Sequence, residues 1–127
     1  MIEYVPNPEH RNQNVAKSQW TIPVLDEHQC FDEAGTQGWL DATRGWGLHR
    51  PSGVPENLGV GVDRSQSLFL AKFVRGRDGD PWHGYPADPQ RYHQDVPASR
   101  VCRAWLDQTL LPPPLVRRVM KGQPCAL

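Results

Sequence analysis

The chain has 127 residues, 14 Lys and Arg against 14 Asp and Glu, and no formal net charge. That balance supplies no global field toward nucleic acid or an acidic membrane, and no apolar run approaches the roughly 18 residues of a membrane span. The length suits a single domain, 1–127, that buries a core without staples, and thirteen prolines exclude a fold made mostly of long helices or of one broad sheet.

The segment 1–23 reads as an extended arm, interrupted by Pro6, Pro8 and Pro23 and pinned at its end by Trp20 and Ile22. Its start, "MIEYVPNPEH", has neither a basic n-region nor an apolar h-region, so no signal peptide is expected. In "VLDEHQCFDEAGTQGWLDATRGWG", Asp26 can cap a helix over about 26–34, with Leu25, Cys30 and Phe31 on one face. A second short helix is expected near 37–44. "GLHRPSGVPENLGVGVDRSQ" is turn-rich, with room for a short strand in "NLGVGV". "SLFLAKFVRG" is the clearest strand, over 67–75, apolar on both faces.

The tail alternates apolar and polar positions at helical spacing. Val101, Cys102, Trp105, Leu106 and Leu110 form one stripe, with Asp95 or Ser99 as cap. "LPPP" stops that helix and starts another, in which Leu115, Val116, Val119 and Met120 share a face and Gly122 ends the turn. The expected fold is therefore α+β: a small antiparallel sheet packed against short helices, a C-terminal helix pair over 98–122, and much ordered loop. The expected core is Phe31, Trp39, Leu68, Leu70, Phe73, Val101, Trp105, Leu106, Val116, Val119 and Met120.

Charge is unevenly placed. Residues 1–50 carry four Lys or Arg and seven Asp or Glu; residues 98–127 carry five against one. Complementarity between the two ends is the simpler reading, and an anionic partner at the tail is the other. Cys30, Cys102 and Cys125 are an odd set with no CxxC pair, which argues against a disulfide framework and a thiolate metal site. A reducing, cytoplasmic setting follows, with Cys30 and Cys102 as packed thiols and Cys125 in an exposed tail.

The stretch "GRDGDPWHGYPADPQRYHQD", 76–95, concentrates the chemistry. Trp82, Tyr85 and Tyr92 stand on a proline-stiffened loop, 80–93, beside His83 and His93. Rigid aromatics with polar tips give contact area at low entropy cost, and Gly84 admits close approach of a partner. The leading expectation is a small binding module without catalysis, using this loop bordered by Arg117 and Arg118, with another protein or a small ligand as partner. No cofactor and no metal are expected. One alternative is a metal-dependent hydrolase or nuclease built on His83, His93 and Asp78, Asp80, Asp88 or Asp95, with His28 or His49 as a distant ligand; no template such as HExxH supports it. Another is nucleic-acid binding through the C-terminal helix pair, which the neutral charge disfavours.

Overall fold

The computed structural model describes residues 3–127; Met1 and Ile2, the tip of the expected arm, lie outside the described residues. In chain order the elements are β1 (Gln19–Trp20), α1 (Val24–Gln37), β2 (Arg44–Leu48), β3 (Gly59–Val60), β4 (Ser67–Leu68), β5 (Leu70–Val74), β6 (His83–Ala87), α2 (Ser99–Asp107) and α3 (Pro113–Met120). Short 3-10 turns stand at Pro8–His10 and His93–Asp95. The strands form two three-stranded antiparallel sheets, ordered β1-β3-β4 and β2-β5-β6, so the fold is α+β as expected.

The expected continuous strand over 67–75 divides at Phe69. The chain leaves one sheet there and enters the other, with β4 pairing β3 and β5 pairing both β2 and β6. Leu70, Lys72 and Val74 keep one face, and Ala71 and Phe73 the other, as strand geometry requires. The segment expected to be loop over 80–93 instead contributes β6. Proline is tolerated there because β6 is an edge strand, where a missing N–H breaks no ladder bond.

The helix expected over 26–34 is longer at both ends. Pro23 precedes its first turn, and Gly38, at φ 78°, ends it in the left-handed region with its N–H directed to the Ala34 and Gly35 carbonyls. Asp26 lies inside the first turn and is not the cap. The buried stripe is Glu27, Cys30, Phe31 and Ala34, spaced i, i+3, i+4, i+7, which leaves Leu25 68% exposed rather than inward. The second helix expected near 37–44 does not form. Asp41 instead accepts hydrogen bonds from the Thr43 and Arg44 N–H groups, at 3.0 and 2.9 Å, and turns the chain into β2.

The buried apolar cluster contains Phe31, Trp39, Leu70, Phe73, Val101, Trp105, Val116 and Val119 of the expected core, and Leu68 is buried beside β3. Leu106 is half-buried. Met120 is 44% exposed, a correction: Leu115, Val116 and Val119 already fill the inward face of α3. Trp46, Leu48, Leu58 and Trp82 complete the centre. Phe73 sits between Gly45 and Gly84 on the neighbouring strands, so its ring has space on both sides. At Gly84 a Cβ would stand 2.5 Å from the Tyr4 hydroxyl, so the close approach that this glycine permits is made by the chain's own arm. Cys30 and Cys102 are buried, and burial pushes their thiols up to about 12 and about 11. Cys125 is half-buried against the core, not in an exposed tail. No helix among the described residues is long and apolar enough to cross a membrane.

The arm is fastened by a buried carboxylate. Glu27 is fully buried, and its Oε1 accepts from Arg11 Nε at 3.0 Å and meets the second guanidinium arm at 2.9 Å. The Tyr4 hydroxyl donates to Oε2. Removing the charge while keeping the shape leaves Arg11 without its counter-ion. Glu27→Gln should therefore lower stability by about 3 kcal/mol in urea unfolding. A loss within experimental error of zero would show that the arm is held by something else.

Candidate functional site

Strand alternation places Trp46, Lys72 and Tyr85 in one cross-strand row on the face opposite Phe73. Three polar residues in such a row need partners, and the turn leading into α2 supplies them. The Tyr85 hydroxyl donates to Asp95 Oδ1 at 2.7 Å, and the Asp88 N–H donates to Asp95 Oδ2 at 2.9 Å. Trp46 Nε1 donates to the Asp95 carbonyl at 3.1 Å, and the Lys72 ammonium donates to the Gln94 carbonyl while lying 5.0 Å over the Trp46 ring. Asp95 is 2% exposed and Asp88 3%. Burying a carboxylate is costly unless hydrogen bonds hold it, and Asp95 accepts one at each oxygen.

Titration is shifted accordingly. Burial lowers Lys72 below the ordinary lysine value, and Asp95 opposes the shift. Burial, aided by the adjacent Asp95 carboxylate, raises Tyr85 well above the ordinary phenol value.

The arm brings His10 onto this network. Its ring stacks on Tyr85, centroids 5.1 Å apart and planes 17° apart. Nδ1 lies 2.8 Å from the Ser18 carbonyl, which can only accept, so Nδ1 carries the proton. Burial lowers the pKa of His10, and the Ser18 carbonyl only partly offsets this. The neutral ring then holds its lone pair on Nε2, which has no donor among the described residues and is not sealed from solvent. The Ser18 hydroxyl donates to the Pro86 carbonyl at 2.8 Å.

These groups wall a cleft of about 270 Å³, lined by His10, Ala16, Lys17 and Ser18 from the arm and by Tyr85, Asp88, Tyr92, Gln94 and Asp95 opposite, with Val62 and Pro86. Of the residues expected to form a site, Tyr85 and Tyr92 meet here. The others are placed elsewhere. Trp82 is 2% exposed, packed on Phe31 and under the Arg75 guanidinium, so it is a core residue and presents no ring to a partner. His83 donates from Nδ1 to the Val5 carbonyl at 2.7 Å and holds the arm. His93 is exposed in a separate concavity with Arg91 and Lys121. Arg117 and Arg118 are exposed on α3. His83, His93 and the aspartates do not converge, and among the described residues no three His, Cys, Asp or Glu gather as a metal site. His10, Lys17 and Ser18 escaped the sequence reading because they lie about seventy residues from Tyr85, and nothing local marks the contact.

Compared with protein-family models, with curated proteins and with solved structures, the chain matches none.

Two outcomes follow from this geometry. Tyr85→Phe should cost about 1–2 kcal/mol and Asp95→Ala more, and the double variant should cost clearly less than their sum, because both single variants remove the Tyr85–Asp95 hydrogen bond. Strict additivity would mean that the pair is not coupled. Separately, the folded-state pKa of His10 lies below its unfolded value, so the unfolded chain takes up the proton first. Stability should fall as pH drops below the ordinary histidine value of about 6.5, and His10→Gln should flatten that part of the urea midpoint against pH curve.

Proposed function

We propose that this chain is a binding module and that its recognition site is the cleft between the arm and segment 85–95. One observation carries the reading: a concavity whose buried walls are hydrogen-bonded, yet which keeps one ring nitrogen of a buried residue, His10 Nε2, without a donor among the described residues and open to solvent. Concave sites with a few fixed polar atoms are the usual form of ligand pockets, and about 270 Å³ falls just under their common range of about 300–1,000 Å³. The occupant is thus a small polar molecule or one side chain of a protein partner. Tyr92, 37% exposed, gives the rim an aromatic contact.

A binding role is favoured over nucleophilic catalysis by the direction of one hydrogen bond. The ring nitrogen nearest Ser18 Oγ is Nδ1, at 3.4 Å, and it is the protonated one. It has no lone pair with which to activate the hydroxyl, whose own proton already rests on the Pro86 carbonyl. Free thiols at Cys30, Cys102 and Cys125 are compatible with a reducing, cytoplasmic setting.

A panel of small cationic, anionic and neutral organic molecules, added singly at millimolar concentration to the ¹⁵N-labelled protein, tests the site. Amide shifts should cluster at His10, Lys17, Tyr85, Tyr92 and Gln94. Ala16 is exposed at the cleft wall, so Ala16→Trp should fold normally, fill the opening and weaken any such binding at least about tenfold. Shifts confined to other surfaces, or unchanged by Ala16→Trp, would falsify the assignment.

A further inference from the structure

Resting on the cleft as the binding site, we infer that its ligand is a positively charged, N–H-donating group, an ammonium or a guanidinium. The warrant is an inventory of what the walls leave unsatisfied. Every buried donor is engaged: the Ser18 hydroxyl on the Pro86 carbonyl, the Tyr85 hydroxyl on Asp95, and the Asp88 N–H on Asp95. What remains in the buried walls is acceptors. His10 Nε2 holds a lone pair. Asp88 Oδ1 accepts from Gln66 Nε2 at 3.4 Å and from the Arg91 N–H at 3.3 Å, while Oδ2 has no donor among the described residues. The Tyr85 oxygen donates its proton and keeps acceptor capacity.

In the buried walls a ligand that accepts would face unanswered lone pairs and a ligand that donates would satisfy them; the donors that could answer an accepting ligand, on Lys17, Tyr92 and Gln94, stand at the exposed rim. Charge points the same way. Two carboxylates, Asp88 and Asp95, are 3% and 2% exposed in the lining. Lys72 compensates Asp95 from the sheet beneath and does not line the cleft. The cation that does line it, Lys17, is exposed at the rim, where water screens it. Tyr92, also in the lining, is an aromatic side chain of the kind that attracts cations.

The test compares methylguanidinium and butylammonium with acetate and acetamide, following amide and His10 ring resonances. The cations should bind in the cleft at least about tenfold more tightly than either comparison molecule. Lys17→Gln removes an opposing rim charge without touching the core, so it should strengthen cation binding about two- to fivefold. Asp88→Asn should weaken it at least about tenfold. Acidification from about pH 7.5 to about pH 5 should also weaken it, because a proton on Nε2 removes the acceptor. The charged and titratable groups around that ring are Glu9 and Lys17 on the arm, Glu27 on α1, and Tyr85, Asp88 and Asp95 across the cleft.

A capped Gly-Arg-Gly peptide separates the two sources of such a group. Binding about tenfold tighter than methylguanidinium identifies a protein's basic side chain, and equal binding identifies a free organic cation. Preference for acetate or acetamide in the cleft, or weaker cation binding by Lys17→Gln, overturns the cation while leaving the site intact. No shift in the cleft with any probe overturns both.

Discussion

The arrangement depends on a single buried carboxylate. Glu27 on α1 holds the arm by two residues at once, Arg11 through its guanidinium and Tyr4 through its hydroxyl. Burying a carboxylate is costly unless it is paired, so the arm and α1 need each other: without Arg11 the helix would carry an isolated internal charge. Arg11 also donates to the Ile22 carbonyl at 2.9 Å, which ties the arm's two ends to one side chain. Burial and the Glu27 contact together raise the Tyr4 phenol far above its ordinary value, so that bond keeps its proton on the tyrosine side at any physiological pH.

Asp95 plays the matching part on the other face of the sheet. One residue satisfies the Tyr85 hydroxyl and the Asp88 N–H with its carboxylate, and the Trp46 indole with its carbonyl. Residues from two strands, β2 and β6, and the segment that follows β6 are thereby held in one geometry. Such networks specify a structure only when every member is satisfied. The buried indole nitrogens without a hydrogen-bond partner, Trp20, Trp39 and Trp105, lie outside this network.

Periodic elements were legible in the sequence. The stripe at Val101, Cys102 and Trp105, the proline stop before α3 and the glycine at 122 depend on local spacing and chain stiffness, and these survive folding. The misreadings share a cause, which is tertiary pairing that local pattern does not encode. Gly84 and Pro86 look like loop residues, yet they belong to a strand because β5 pairs with one side of it. Phe69 looks like any other strand residue, yet the ladder changes partner there. Glu27 sits at an inward helical position, on the same stripe as Cys30 and Phe31, and the face read from Leu25, Cys30 and Phe31 does not include it. Half of the site was visible, as Tyr85 and Tyr92. The other half arrives on the arm, and the contact that brings it is a ring stack between residues 10 and 85.

The cleft itself follows from how an edge strand is protected. β6 would present unpaired backbone on its outer side, a template for association with other chains. The arm covers that side at two places. Near one end of β6, the Val5 N–H donates to the Trp82 carbonyl and the Trp82 N–H to the Glu3 carbonyl, both at 2.8 Å. At the other, the Ser18 hydroxyl reaches the Pro86 carbonyl. Pro86 has no N–H to offer outward, so a side-chain hydroxyl answers its carbonyl where a paired strand would otherwise lie. Between these two fastenings the chain departs from the sheet through the turn at Pro8–His10 and returns at Ser18. The distance it keeps from Tyr85 is set by the His10 ring stacked on it. A segment fastened at both ends and propped by a flat ring in the middle leaves a hollow beside the prop, and the lining of the cleft by His10, Ala16, Lys17 and Ser18 on one side and Tyr85 on the other is that hollow.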